Sequence, residues 1–327
     1  MAETGTFTYR PGADAGLPKR IASHFPADLG FRWLTAFCAA LIPLVVGGIL
    51  VELVRHSYLS LGRFGWDFLL SQTWNPVTGE FGAASSIYGT LVSTGIALLL
   101  AVPLSLAIAL FLVELAPEKL SGLAGGVIEL LAAIPSIIYG MWGLFIFAPF
   151  MADHVQPVLS RVVGFLPLFT GPPMGIGMLT AGIILALMIL PYMAAIIRDV
   201  FRLVPEVMKE SAYGLGATTW EVARKVTMPY GLVGITGAVF LGLARALGET
   251  MAVTFVIGND HRIAASLFAA GNSIASTLAN EFSEASETLY LSALVELALV
   301  LFAITVLVQV LSQLMLRRIY RARGGGA

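Results

Sequence analysis

Of 327 residues, 19 are Lys or Arg and 20 are Asp or Glu, so charged side chains make up 12% of the chain, about half the share of an ordinary soluble domain, while 57% are hydrophobic. A mean hydropathy of +0.87, gathered into blocks long enough to cross a bilayer, argues against a soluble enzyme. The net charge of −1 lacks the basic excess of a nucleic-acid binder, and the single Cys38 can form neither an internal disulfide nor a multi-cysteine metal site.

Residues 1–30, with Pro11, Gly12, Pro18 and Pro26, read as an arm without regular structure, and 19–25 as a segment able to lie on a membrane surface. Six apolar blocks follow, at 31–53, 87–115, 120–150, 174–197, 232–257 and 289–316, each sufficient for one crossing of about 20 residues. The first, which holds Cys38, is too long for a signal-peptide core and is read as a retained span. The predicted organisation is an arm (1–30), a first span (31–53), an outer loop (54–86), a five-span core (87–316) carrying an inner loop at 198–231, and a tail (317–327). Further outer loops are expected at 151–173 and 258–288.

Orientation follows from the basic residues, which gather in cytoplasmic segments. With the N-terminus inside, the inner segments hold Arg10, Lys19, Arg20, Arg32, Lys119, Arg198, Arg202, Lys209, Arg224, Lys225, Arg317, Arg318, Arg321 and Arg323. The outer loops hold only Arg55, Arg63, Arg161 and Arg262, and Arg245 falls within a span. Both termini are therefore expected in the cytoplasm.

Stripes of small residues mark helix contacts. Gly89, Ser93, Ala97, Ala101, Ser105 and Ala109 recur every four residues in the second block, a ridge that permits close helix approach. In the third, Glu129, Ala132, Ser136, Tyr139, Gly140 and Gly143 are predicted to share a face, with Pro135 loosening the backbone beside them. In the fifth, Gly234, Ala238 and Gly242 lead to Arg245 and Glu249. An arginine within a span costs about 2.5–3.5 kcal/mol on insertion scales and is a functional candidate by default. At i and i+4, Arg245 and Glu249 are expected to pair on one helix face. Ser136, Tyr139 and Thr250 are hydroxyl donors for the same passage, although such hydroxyls also bond to their own backbone. Glu296 faces either a partner helix or the passage, and Glu129 is expected near the cytoplasmic end of its span.

The loop at 198–231 carries clear helix signals. Pro205 suits the first turn of a helix running to Leu215, with Gly216 just past its end. Thr218 and Glu221 fit a capping box that starts a second short helix, expected to stop near Pro229. Val204, Val207, Met208, Ser211 and Leu215 form an apolar stripe, read as a knob for a cytoplasmic partner or as a face lying at the lipid boundary. Outside the spans, His24, His56, His154 and His261 read as solvated loop residues. Glu281, Glu284 and Glu287, at three-residue intervals, read as one acidic helix face turned to water or to an outer partner.

Glu210-Ser211-Ala212, then Gly216, then Val226-Thr227-Met228-Pro229, resembles the EAA loop of ATP-binding-cassette importer permeases, with Ser211 in place of the usual alanine and Met228 in place of leucine. The stretch 129–144 resembles the third-span signature of phosphate-importer permeases, and 244–253, Ala-Arg-Ala-Leu-Gly-Glu-Thr-Met-Ala-Val, is similar to the fifth-span signature of the PstC-type subunit. The likeness covers roughly 87–316.

This resemblance implies an all-α polytopic membrane protein of the bacterial cytoplasmic membrane, with six transmembrane helices in the type I importer, MetI-like, permease fold. It implies that Glu210, Ser211, Ala212, Gly216 and Pro229 belong to a coupling helix docking on an ATPase, and that Arg245 and Glu249 line a phosphate passage. A guanidinium offers phosphate a planar fork of donors, and an acid one turn away would keep the anion from binding too tightly. The implied partners are a homologous PstA-type permease, two ATP-binding subunits inside and a phosphate-binding protein outside. No lysine of the chain follows a glycine as a P-loop requires, so the chain itself is expected to be no enzyme and to hold no cofactor, with ATP and Mg on the partner ATPase. Two alternatives stay open: the same machine carrying molybdate, sulfate or another oxyanion, and an ATP-independent anion carrier using Arg245 and Glu249.

Overall fold

The structure is a computed structural model that describes residues 26–322. The expectations for 1–25, including the surface segment at 19–25, and for the last residues of the tail lie outside the described residues. The chain divides into two units, 1–51 and 52–327. In the first, helix α1 (Pro26–His56) opens on a proline, which loses no hydrogen bond in a first turn, and continues beyond the unit boundary. The Thr35 hydroxyl donates back to the carbonyls of Phe31 (2.9 Å) and Arg32 (3.0 Å), which hides its polarity within an apolar helix.

The second unit begins with the short helices α2 (Tyr58–Phe64) and α3 (Asp67–Leu70) and a turn closed by the Asn75–Glu80 bridge. Helix α4 (Ala84–Leu110) follows and ends in a π-turn at Phe111–Leu115. Next come α5 (Glu118–Ala132) and α6 (Ser136–Trp142), and α6 continues through α7 (Ala148–Phe150) and α8 (Gln156–Val163) with π-turns at Gly143–Phe147 and Met151–Val155. Helix α9 (Met178–Arg202) leads to the inner loop, with α10 (Glu206–Gly214) and α11 (Thr219–Val222). A π-turn at Ala223–Thr227 joins α11 to α12 (Met228–Leu247), and α13 (Met251–Ile257), α14 (Ile274–Glu281) and α15 (Thr288–Ala322) complete the described chain.

Among the described residues, six helices are long and apolar enough to cross a membrane: Leu29–His56, Ala84–Leu115, Ser136–Val163, Met178–Arg202, Thr219–Leu247 and Thr288–Ile319. Two differ from the predicted blocks. The block at 120–150 divides at Pro135, so α5 is separate and the crossing runs from Ser136 to Val163, into the expected outer loop. Glu129 and Ala132 consequently do not continue the Ser136 face. The fifth crossing starts at Thr219 and stops at Leu247, because Pro229 falls in the first turn of α12, where proline is tolerated, and does not end the preceding helix.

Helix α9 is the hub of this unit. Ile184, Leu185, Ile189, Met193, Ile197 and Phe201 are fully buried. The small ridge of α4 is buried along its whole length, and Gly182 of α9 faces Ile96, where a Cβ would lie 2.6 Å from Cγ2. On α12, Gly234 meets Val200 and Gly242 meets Met193, again at distances that admit no side chain. Lipid tails supply no hydrophobic drive toward association, so this close fit and its dispersion contacts hold the helices together. A second cluster, around Phe68, Phe81, Ile274, Tyr290 and Leu294, fixes the opposite end of α15 to the 57–83 segment and α14.

Candidate functional site

Two breaks shape the candidate passage. The first is at 133–135, where Pro135 cannot donate to the helical ladder; α5 ends and α6 restarts at Ser136. The Tyr139 hydroxyl donates across this gap to the Leu131 carbonyl (3.1 Å), which also accepts from the Ile134 N–H (3.3 Å) at the end of α5. The second is at 248–250, where α12 ends and α13 begins. The breaks lie close together because α6 packs against α13: a Cβ on Gly140 would stand 3.0 Å from both the Met251 oxygen and the Ala252 Cα, and Gly143 abuts Val256 and Ile184.

Arg245 occupies the last turn of α12, where the helix dipole favours a cation. Its guanidinium lies 5.5 Å from the centre of the Tyr192 ring, within cation–π range, and its charge reaches the Tyr139 phenol. It is exposed, and among the described residues it makes neither an ion pair nor a hydrogen bond, so its five donors are unspent. The predicted pairing with Glu249 is not formed. Spacing of i and i+4 brings side chains together only while a helix continues, and this one stops at Leu247. Glu249 instead accepts from the Ala252 N–H (3.1 Å), capping the first turn of α13. Thr250 precedes that turn and its hydroxyl lies 3.4 Å from the Gly248 carbonyl. Ser136 opens α6, and no side chain caps that helix start, leaving partial positive charge on its first amides. The arrangement therefore gathers Ser136, Tyr139, Arg245 and Thr250 around the two breaks, with Glu249 engaged by backbone.

The loop at 198–231 has a different character. Helix α10 contains no buried residue; Leu215 is 90% exposed, Val207 70% and Trp220 on α11 64%. Of the predicted stripe, only Val204 is buried. Glu210 and Ser211 are exposed, and the Ser211 hydroxyl is spent on the Val207 carbonyl (2.6 Å). Gly216 has φ +86°, the left-handed conformation that closes the helix, with Ala217 N–H donating to the Ala212 carbonyl (3.1 Å). The Thr218–Glu221 capping box forms. An exposed cluster of large apolar side chains on a helix without a buried face marks a surface for a protein partner or for the lipid boundary.

Three groupings escaped the sequence reading. Arg198, buried in α9, donates to Glu129 at 2.7 Å and to Asp199 at 3.1 Å, and its side chain fills the space beside Gly125. Glu114, unremarked at the end of an apolar block, accepts from Lys209 at 2.6 Å and Thr227 at 2.7 Å. On the opposite side, His261 stacks on Trp74 (5.4 Å, 5°) and lies 3.0 Å from Glu281, which also accepts from Tyr290 (2.7 Å) and from the Trp74 indole. This corrects two expectations: His261 is not merely solvated, and Glu281 does not share an acidic face with Glu284 and Glu287, because α14 ends at Glu281. A carboxylate in each apolar block, asked for its nearest cation, would have been the signal for the first two.

A family model described as binding-protein-dependent transport system inner membrane component matches residues 85–321. The phosphate transport system permease protein PstC of Mesorhizobium japonicum is 53% identical over 296 residues, covering 89% of this chain and 90% of its own. That of Pasteurella multocida is 53% identical over 306 residues, covering 92% and 95%. Among solved structures, a bacterial ABC transporter that imports the acidic polysaccharide alginate aligns with TM-score 0.56 at 16% identity, over 89% of this chain and 98% of that one. The inward-facing MetNI methionine ABC transporter aligns at 0.53 and 18%, over 72% and 94%. At these identities the structures show a shared fold, that of MetI-like ABC importer permeases.

Proposed function

The chain belongs to the PstC family of binding-protein-dependent permeases, and we propose that it forms half of an ATP-driven phosphate passage across the bacterial cytoplasmic membrane, both termini inside. The relatives' names support phosphate as cargo. One structural observation supports the route: Arg245 presents an unspent guanidinium beside two helix breaks and three hydroxyl-bearing residues. Phosphate leaving water needs compensating charge and donors, and the planar fork of arginine matches its oxygens. Ser136 supplies a secondary donor, Tyr139 and Thr250 join it by turning their hydroxyls from the Leu131 and Gly248 carbonyls, and Glu249 acts chiefly by holding the start of α13.

The exposed apolar face of α10 and α11 receives a separate ATP-binding subunit, through Glu210, Ser211, Ala212 and Gly216, with Pro229 beginning the membrane helix behind it. ATP is bound there with Mg, and it is hydrolysed on that subunit. By family membership the assembly contains a PstA-type sister permease, two ATPase subunits and an extracytoplasmic phosphate-binding protein.

Labelled-phosphate uptake by the reconstituted complex tests this reading. Arg245→Ala is expected to abolish uptake while the complex still assembles, and normal uptake would remove Arg245 from the passage. Competition by excess molybdate or sulfate instead of phosphate would reassign the cargo. Concentration of phosphate by this chain alone would replace the ATP-driven mechanism with a secondary carrier.

A further inference from the structure

Three separate elements meet on the Glu114 carboxylate at the inner end of the molecule. Glu114 lies on the π-turn Phe111–Leu115 that ends α4, and its side chain is 5% exposed. Its Oε1 accepts from Lys209 Nζ of α10 at 2.6 Å and from Thr227 Oγ1 at 2.7 Å. Thr227 is fully buried and closes another π-turn, Ala223–Thr227, through which α11 becomes α12. Both membrane helices thus change their hydrogen-bond register where they are tied to each other, and such π-turns are frequent at functional sites.

The tie matters because α10 has little else to hold it. No residue of that helix is buried, so no apolar interface anchors it to the membrane helices. A carboxylate this enclosed cannot give up its cation without a heavy desolvation cost, so the contact persists when the helices move. By contrast, the neighbouring Glu221–Lys225 pair is exposed and of the kind that contributes little.

We propose that Glu114 is a positioning residue for transport: it locks the coupling helix α10 to the inner ends of α4 and α12, so that displacement of α10 by the ATPase moves both together. Helix α12 then works as a lever. Eighteen residues separate Thr227 from Arg245, about 27 Å of helix at 1.5 Å per residue, so a tilt at the joint arrives at the break beside the guanidinium. The inference rests on the reading of α10 as the ATPase dock and adds the route by which motion leaves it.

The test uses the reconstituted complex and the ratio of ATP hydrolysed to phosphate moved. In Glu114→Gln, the shape is kept and the charge lost; ATPase copurification and basal hydrolysis are expected within twofold of wild type, with uptake at least tenfold lower. Lys209→Met is expected to raise the same ratio, and combining it with Glu114→Gln to add nothing further, since both break one joint. A merely structural role would lower the yield of complex and leave the ratio unchanged, which would overturn the proposal. Should Glu114→Gln fail to accumulate, Thr227→Val is read instead, an unchanged ratio again being the refuting result. A wild-type complex that binds no ATPase overturns the functional reading and this inference with it, whereas a coupled wild type beside an equally coupled Glu114→Gln overturns only the joint.

Discussion

The proposed passage requires a guanidinium that is held without being neutralised, and the residues around Arg245 hold it so. The dipole of α12 and the Tyr192 ring stabilise the cation yet leave its donors free. Glu249 does not neutralise it, because its carboxylate is committed to the Ala252 N–H. Glu249→Gln keeps an acceptor at that place and is expected to leave stability within about 0.5 kcal/mol, whereas Glu249→Ala frees the amide and costs about 1 kcal/mol, as lost helix caps do. Thermal unfolding of the purified protein in detergent distinguishes them, and equal loss in both would return Glu249 to a charge-bearing role. At this scale, Arg245 stood out in sequence because a charge in an apolar block is conspicuous, but its place in the last turn of α12 did not. Its partner was misread because Gly248 gives no sign of whether the helix continues past it; that is decided by the packing of α13 on α6.

Among the elements, the inner loop was the most legible, since helix caps are local chemistry: the Thr218–Glu221 box and the Gly216 turn depend on neighbours a few residues away. Pro229 was not, because proline reads alike whether it stops one helix or sits in the first turn of the next. Pro135 announced weakened backbone bonding, but only tertiary context turned that into a full break. Gly216 offers a direct probe. A Cβ there meets nothing within 4 Å, so space is no obstacle; the strain is conformational, φ +86° costing an L-residue about 1–2 kcal/mol. Gly216→Ala is therefore expected to loosen the α10–α11 turn and weaken retention of the ATPase subunit several-fold, without altering the membrane helices. Affinity capture of the ATPase by detergent-solubilised protein measures it, and full retention would show that the turn geometry is not what the partner reads.

Across the whole of the 52–327 unit, polar ties hold both ends of a helical body whose middle is held by small-residue packing. At the end that carries α10 they are Glu114 with Lys209 and Thr227, and Arg198 with Glu129. At the other, Glu281 joins the 57–83 segment through Trp74, the 258–273 loop through His261, and α15 through Tyr290. None of these long-range pairings is visible to periodicity, which reports faces and not partners. The tie at Glu281 carries a pH dependence of definite sign. Burial pushes the Glu281 carboxyl upward, but the hydrogen bonds from His261, Tyr290 and Trp74 outweigh it and hold its pKa below the ordinary 4.5. A carboxyl whose folded pKa is depressed stabilises the fold fully above its unfolded value and ceases to do so as pH falls through the folded one. Glu281→Gln removes this charge from a mostly enclosed cluster, with an expected loss of about 1–3 kcal/mol at neutral pH. The gap in melting temperature between wild type and variant is expected to narrow as pH falls below the usual carboxylate range, near pH 4. Unfolding in detergent across that series measures it; a gap independent of pH would mean that packing around Trp74 and Tyr290, and not the carboxylate, closes this end of the molecule.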